Sequence, residues 1–273
     1  MKIKDLIGKV IYESRESEIK FALEEAVAAG VHLERANLED AHLNEVYLEG
    51  AYLKKANLSG ANLGMARLAG ADLRGALIND ANLYRADLVG ASLKGAYLKG
   101  ANFRDANLEG ANLGKANLRE ANLEDAILSG SNLEGAYLSQ ANLKRSNIIM
   151  ANLEGADLDL AHLEKANLSG ANIKTANLRD AKLNGTILFE SILRLSDLRE
   201  ANLSGADLRK ADLKGADLRG VDFYKANLEG ADLGLTWLDK ADFKGANLRG
   251  ANFEGARIEG VKGIPGVFDW WPG

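Results

Sequence analysis

From Val31 onward, apolar and polar positions recur with a period of five. The first block is Val31-His32-Leu33-Glu34-Arg35 and the last is Ala256-Arg257-Ile258-Glu259-Gly260, giving 46 consecutive blocks without an insertion or deletion. The central position is Leu, Ile or Phe in all 46, and the first is Ala in 37 and otherwise Ser, Thr or Val. Asn or Asp fills the second position in 30 blocks, and Gly the fifth in 21. A helix cannot use this pattern. Five residues advance it by about 500°, so successive leucines sit about 140° apart and leave no apolar stripe to bury. A regular strand fails as well, because its faces alternate with period two and five is odd. The chain must therefore reset its direction every five residues, in a short extended stretch followed by a corner. The central and first side chains point inward, and glycine at the fifth position suits a corner with unusual dihedrals.

The pattern resembles the pentapeptide-repeat family, whose A(N/D)LXX consensus stands almost verbatim in Ala56-Asn57-Leu58-Ser59-Gly60 and Ala166-Asn167-Leu168-Ser169-Gly170. The resemblance spans residues 31–260, about five-sixths of the chain. It implies an all-β fold: a right-handed quadrilateral parallel β-helix in which four corners close a coil of 20 residues and coils stack by parallel pairing. Right-handed crossovers are also what parallel strands prefer in general. The 46 blocks then make 11–12 coils, a rod about 55 Å long at ~4.8 Å per strand spacing. Four large and four small side chains per coil fill a thin column at close packing. Each central residue contributes about 1.5–3 kcal/mol of apolar transfer before entropy is subtracted.

Such a stack leaves raw strand edges and bare core at both ends, so caps are expected. Residues 1–30 read as an N-terminal cap: a strand at Lys9-Val10-Ile11-Tyr12, then an amphipathic helix from Ser17 to Ala29. Ser17 is the expected N-cap, Ile19, Ala22, Leu23, Ala26 and Val27 the apolar face, and Gly30 the stop. This preface resembles that of bacterial and phage members of the family. Residues 261–273 read as a C-terminal aromatic cap, with Phe268, Trp270 and Trp271 folded over the last coil. The alternative for these three is an end-to-end homodimer contact, the monomer being preferred.

Composition narrows the setting. The absence of cysteine removes disulfides and thiolate metal sites and fits a reducing compartment. The first ten residues are broken by charges and lack the apolar run of a signal peptide, and nothing later matches a membrane span. A cytoplasmic protein with no membrane contact is expected.

Candidate chemistry is sparse. Under the implied 20-residue coil, His32, His42 and His162 all occupy outward second positions; His42 and His162 share a face but lie about 29 Å apart, so no two bind one metal. Nucleophilic triads lack support. Asp157 with Asp159 is a carboxylate pair on a convex surface, where such pairs are usually solvated. Neither a phosphate-binding loop nor a dinucleotide fingerprint is present. Three threonines, Thr175, Thr186 and Thr236, do not make an ice-binding array. No enzyme activity, cofactor or metal is expected.

Two functions compete. The resemblance includes quinolone-resistance proteins that protect a type II topoisomerase by mimicking duplex DNA. Here the rod's 32 acidic and 28 basic residues leave it at −4, whereas a duplex ~55 Å long carries about 32 negative charges. The most acidic side holds 12 acids and 7 bases, a weak bias for steering into a DNA-binding groove. Direct nucleic-acid binding is not expected, since no side is strongly basic. The preferred function is a non-catalytic structural or protein-interaction module whose flat sides face a protein partner. Its candidate surface is Ile127, Ile187 and Ile192, apolar residues at polar second positions, with Ile149, Met150, Phe189 and Leu195 at other outward positions. A second column carries Leu77, Tyr97 and Tyr137.

Overall fold

A block with Asn or Asp at its second position can close all its backbone hydrogen bonds, as residues 111–115 of the computed structural model show; the structure describes residues 1–264. The Ala111 N–H turns back to Leu108 O (3.0 Å) and Asn112 N–H reaches the preceding coil at Ala91 O (2.9 Å). Leu113 N–H and Lys115 N–H donate to the following coil, at Asn132 O (2.7 Å) and Glu134 O (2.9 Å). Gly114 N–H is taken by the side chain of Asn112 (3.1 Å). Every donor is used, as burial between stacked coils demands.

Pairing joins residue i to residue i+20, in parallel, from Asn37↔Asn57 to Asp242↔Lys262 without a slip. Four blocks thus make one coil of a β-helix solenoid, and second residues fall into four rows: 32, 52, 72 onward (row 1), 37 onward (row 2), 42 onward (row 3) and 47 onward (row 4). The ladder continues two residues past Gly260, to Lys262, beyond the expected boundary.

The corners are uniform. All 46 fifth residues have positive φ; 25 are not glycine and lie between 53° and 64°. With the N–H of the next block's first residue bonded three residues back, this matches a type II turn, whose third residue must be left-handed. Glycine recurs there because other residues pay a steric cost.

The central leucines from Leu33 to Leu238 and the first-position alanines from Ala51 to Ala241 are buried in one continuous core. Ser131, Ser146, Ser191 and Ser196 replace alanine without leaving an unpaired polar atom, because each hydroxyl donates to the carbonyl three residues back at 2.6–2.7 Å. Toward the end, Phe223 stacks on Phe243 at 4.7 Å and Phe243 meets Phe253 edge-on at 6.0 Å.

At the N-terminus, strand β1 (Lys2–Lys4) pairs antiparallel with β2 (Val10–Glu13), and helix α1 spans Ile19–Ala28. Ala22, Leu23 and Ala26 bury into the rod's core, with Ile19 and Val27 packed against it. The hairpin and helix satisfy donors that a preceding coil would have met: Asn37 N–H binds Lys4 O (2.8 Å) and Tyr47 N–H binds a Glu24 carboxylate oxygen (3.0 Å). Two expectations need correction. The N-cap is Glu18, without a side-chain cap bond, rather than Ser17; it is Ser14 that ties the preceding loop to the helix, donating to Glu25 and accepting from Glu16 N–H. β1 was also not anticipated, since three residues alternating with lysine carry little strand signal. The helix end is as expected: Gly30 has φ +69°, and Val31 N–H reaches Ala26 O at 2.9 Å, a Schellman closure. Phe268, Trp270 and Trp271 lie outside the described residues.

Candidate interaction surface

The second position decides what the outer wall can display. Where Asn or Asp stands there, as at Asn112, Asn122 and Asp232, its oxygen accepts the N–H two residues on, the only backbone donor of a block that points neither to a corner nor to another coil, so an Asx turn braces that corner. Asparagines also bond along a row: Asn82 to Asn62 and Asn102 to Asn82, both 3.0 Å, then Asn122 to Asn102 (3.4 Å) and Asn142 to Asn122 (3.1 Å). Where isoleucine replaces asparagine, the brace is given up. An outward isoleucine therefore costs the rod something.

Ile127 and Ile187 lie in row 4, separated by Asn147 and Asn167, hence about 14 Å apart. Ile149 and the highly exposed Met150 (69%) sit beside that row, and Met150 lies across Gly170 of the next coil, where an added Cβ would meet its sulfur. Phe189 occupies the same column two coils on, half-buried, with Arg209 and Lys210 over its ring at 5.5 Å. Ile192 belongs to row 1, on the adjoining side. Leu195 (62% exposed) stands at the next corner and does not join the row 4 group. It lies over Gly215 and, with Trp237, walls a notch of about 200 Å³. The candidate set is thus a row 4 group of Ile127, Ile149, Met150, Ile187 and Phe189, with Ile192 and Leu195 progressively further round.

Many carboxylates are tied into the scaffold. The guanidiniums of Arg74, Arg199 and Arg209 hold Asp72, Asp197 and Asp207 below the usual carboxylate range, each arginine gripping the aspartate two residues before it. Asp157 accepts from Ser139 Oγ (2.6 Å) and Asn177 Nδ2 (2.9 Å), acting as a turn brace. Its neighbour Asp159 is pushed up by burial and by Asp157. His32 stacks on Tyr52 at 4.3 Å. His162 is held below its ordinary value, by burial first and then by Lys182. Among the described residues no group of three or more His, Cys, Asp or Glu is placed to hold a metal ion. A groove of about 620 Å³ runs along Arg179, Arg199 and Arg219, whose charges already face Asp180, Asp197 and Asp217.

A family model described as pentapeptide repeats matches in eight copies between residues 32 and 262. The chain belongs to the pentapeptide-repeat family. Among solved structures it is similar to HetL, a pentapeptide repeat protein involved in heterocyst differentiation regulation in the cyanobacterium Nostoc sp. strain PCC 7120; identity is 30%, over 90% of this chain and 97% of that one, at a TM-score of 0.48. It also matches QnrB1, a plasmid-mediated fluoroquinolone resistance protein, at 16% identity over 63% of this chain and 89% of that one, TM-score 0.40. A third match is a pentapeptide repeat protein of the Arabidopsis thaliana thylakoid lumen, 27% identical over 46% and 66% of the two chains, TM-score 0.24. A comparison with curated proteins found no match.

Several exposed apolar residues of the pentapeptide-repeat wall, among them Tyr47, Met65, Leu160 and Trp237, were not singled out by the sequence. Trp237 (43% exposed) holds a second position in row 2, beside Leu235 at a fifth position. Arg219 and Arg257 lie over the indole at 5.0 and 5.6 Å. The departure from consensus that singles out Ile127 was present at Trp237 too. No helix among the described residues is long and apolar enough to cross a membrane.

Proposed function

We propose that this chain is a non-catalytic protein-interaction module: a rigid, right-handed, four-sided rod, capped by residues 1–30, that works in the cytoplasm and presents the row 4 group to a protein partner. The observation that carries this reading is Ile127 and Ile187 at positions where asparagine would brace the corner, as Asn147 and Asn167 do between them, with Met150 exposed beside them. Exposed apolar side chains on a surface otherwise built from hydrogen-bonded amides mark a contact site. A non-catalytic role is supported by the carboxylates, which serve as turn braces and arginine partners.

The test is the double variant Ile187→Glu with Phe189→Glu. Both residues point outward, so the circular dichroism spectrum and melting temperature stay close to those of the parent protein. Quantitative mass spectrometry of captured proteins is then compared between the two. Loss of one specific protein from the variant supports the row 4 surface. An identical captured set contradicts it.

A further inference from the structure

Charge on this rod is organised along an edge that a side-by-side count conceals. Consider the fourth and fifth residues of row 1 blocks with the row 2 residues that follow: 34–37, 54–57, 74–77, 94–97 and 114–117. They hold six cations and one acid, Glu34. From 134 to 257 the same strip holds six acids and four bases, so its sign reverses half-way along the rod. Glu34 is matched by Lys54 at 3.5 Å, and Arg74 is bound to Asp72. Arg35, Lys55, Lys94 and Lys115 are exposed and have no ion pair among the described residues. Four coils separate Arg35 from Lys115, about 19 Å.

Beside this row of free cations is a groove of about 410 Å³ walled by Leu77, by Tyr97 (49% exposed) and by Leu6 of the N-terminal segment. Gly75 and Gly95 form its floor. A Cβ at Gly95 would meet nothing within 4 Å, and at Gly75 only the Lys55 stem at 3.6 Å, so an incoming side chain can descend to the backbone. On the far flank of row 2 the fifth residues at the same height include Asp40, Asp80 and Glu120.

We propose that this edge is a docking site for an acidic protein segment, separate from the row 4 surface. One apolar side chain of the segment seats over Gly75 and Gly95 against Leu77 and Tyr97, and its carboxylates run along Arg35, Lys55, Lys94 and Lys115. A peptide fits better than a nucleic acid for two reasons. The groove is walled by aliphatic as well as aromatic groups, with one exposed ring where a strand of bases wants a series of stacking platforms. The cations line one flank only, with carboxylates across row 2, which suits discrete side-chain charges more than a continuous phosphate chain. If both surfaces are used, the rod holds two partners at a fixed separation.

The experiment is selection of a random twelve-residue peptide library on the intact protein, followed by fluorescence anisotropy with the best peptide and with a labelled twenty-residue oligothymidylate. The comparison protein is Lys55→Glu with Lys115→Glu; glutamate is already tolerated at such corners, at Glu45, Glu120 and Glu200. Selected peptides should be acid-rich around an apolar residue, should bind at least tenfold more weakly to the charge-reversed variant, and should lose affinity with Tyr97→Ala and with added salt. Unselective recovery, peptides without acids, or equal binding by parent and variant would overturn the proposal. Tighter binding of the oligothymidylate than of any peptide would overturn it in favour of a nucleic acid.

Discussion

Replacing Leu163 with alanine removes the central side chain of a mid-rod block that is fully buried between Leu143 and Leu183. About three methylene equivalents are lost, at ~0.8 kcal/mol each. A residual cavity of roughly 50 Å³ adds about 1.2 kcal/mol at ~24 cal/mol per Å³. The void cannot close, because Leu163 N–H is tied to Lys182 O (2.8 Å) and Leu143 N–H to His162 O (2.7 Å), fixing the spacing between coils. The expected loss is therefore about 3–4 kcal/mol, in the middle of the range for such truncations. Urea unfolding followed by far-ultraviolet circular dichroism measures it, with Lys182→Gln as an exposed control expected within about 0.5 kcal/mol of the parent. A broadened transition is also expected, since a local defect in a stacked array uncouples its neighbours. A loss below about 1 kcal/mol, or one equal to the control, would refute the packing argument.

Further outcomes follow from the outer wall. Asn102→Ala removes the brace on Arg104 N–H (3.2 Å) and the rungs to Asn82 and Asn122, so urea unfolding should show a loss of about 1–2 kcal/mol, less than three full hydrogen bonds because water reaches the site. Asp72, Asp125, Asp197 and Asp207 have lowered pKa values through arginine hydrogen bonds. Their stabilisation is full above the ordinary aspartate value of 3.8 and is lost as pH falls through the lowered folded values. The melting temperature should therefore drop below about pH 4, and less so for Asp197→Asn with Asp207→Asn; superimposed curves would contradict the assignment. With a rod charge of −4, micromolar protein should leave supercoiling by purified gyrase unchanged, and inhibition would revive DNA mimicry.

Most of the architecture was legible because the period of five is incompatible with both helix and strand, and because Leu and Ala at fixed positions say which atoms face inward. The left-handed corner was readable from glycine at the fifth position, yet 25 other residues adopt it, showing that coil stacking overrides local preference. The reason for Asn and Asp at the second position is the bond to the N–H two residues on, which only the folded corner brings within reach. Ser17 failed as a cap because the helix begins where Ile19 first meets the core, and a hydroxyl one residue too early cannot reach its donors. Surface patches were harder. Leu195 was grouped with the row 4 residues, but its corner places it beside Trp237. The free cations at Arg35, Lys55, Lys94 and Lys115 vanish when charges are summed over whole sides, because electrostatic complementarity is a property of neighbouring side chains across an edge.

All of these surfaces depend on the 20-residue rung that brings distant residues into rows. Since the chain has no cysteine, nitroxide labels can be placed in pairs at His42→Cys with Asn102→Cys, His162→Cys or Asp222→Cys, all in row 3, and their separations measured by pulsed electron spin resonance. Three, six and nine coils predict distances rising linearly, about 14, 29 and 43 Å. Separations that do not grow in equal steps would contradict the register, and every row and edge described above would have to be redrawn.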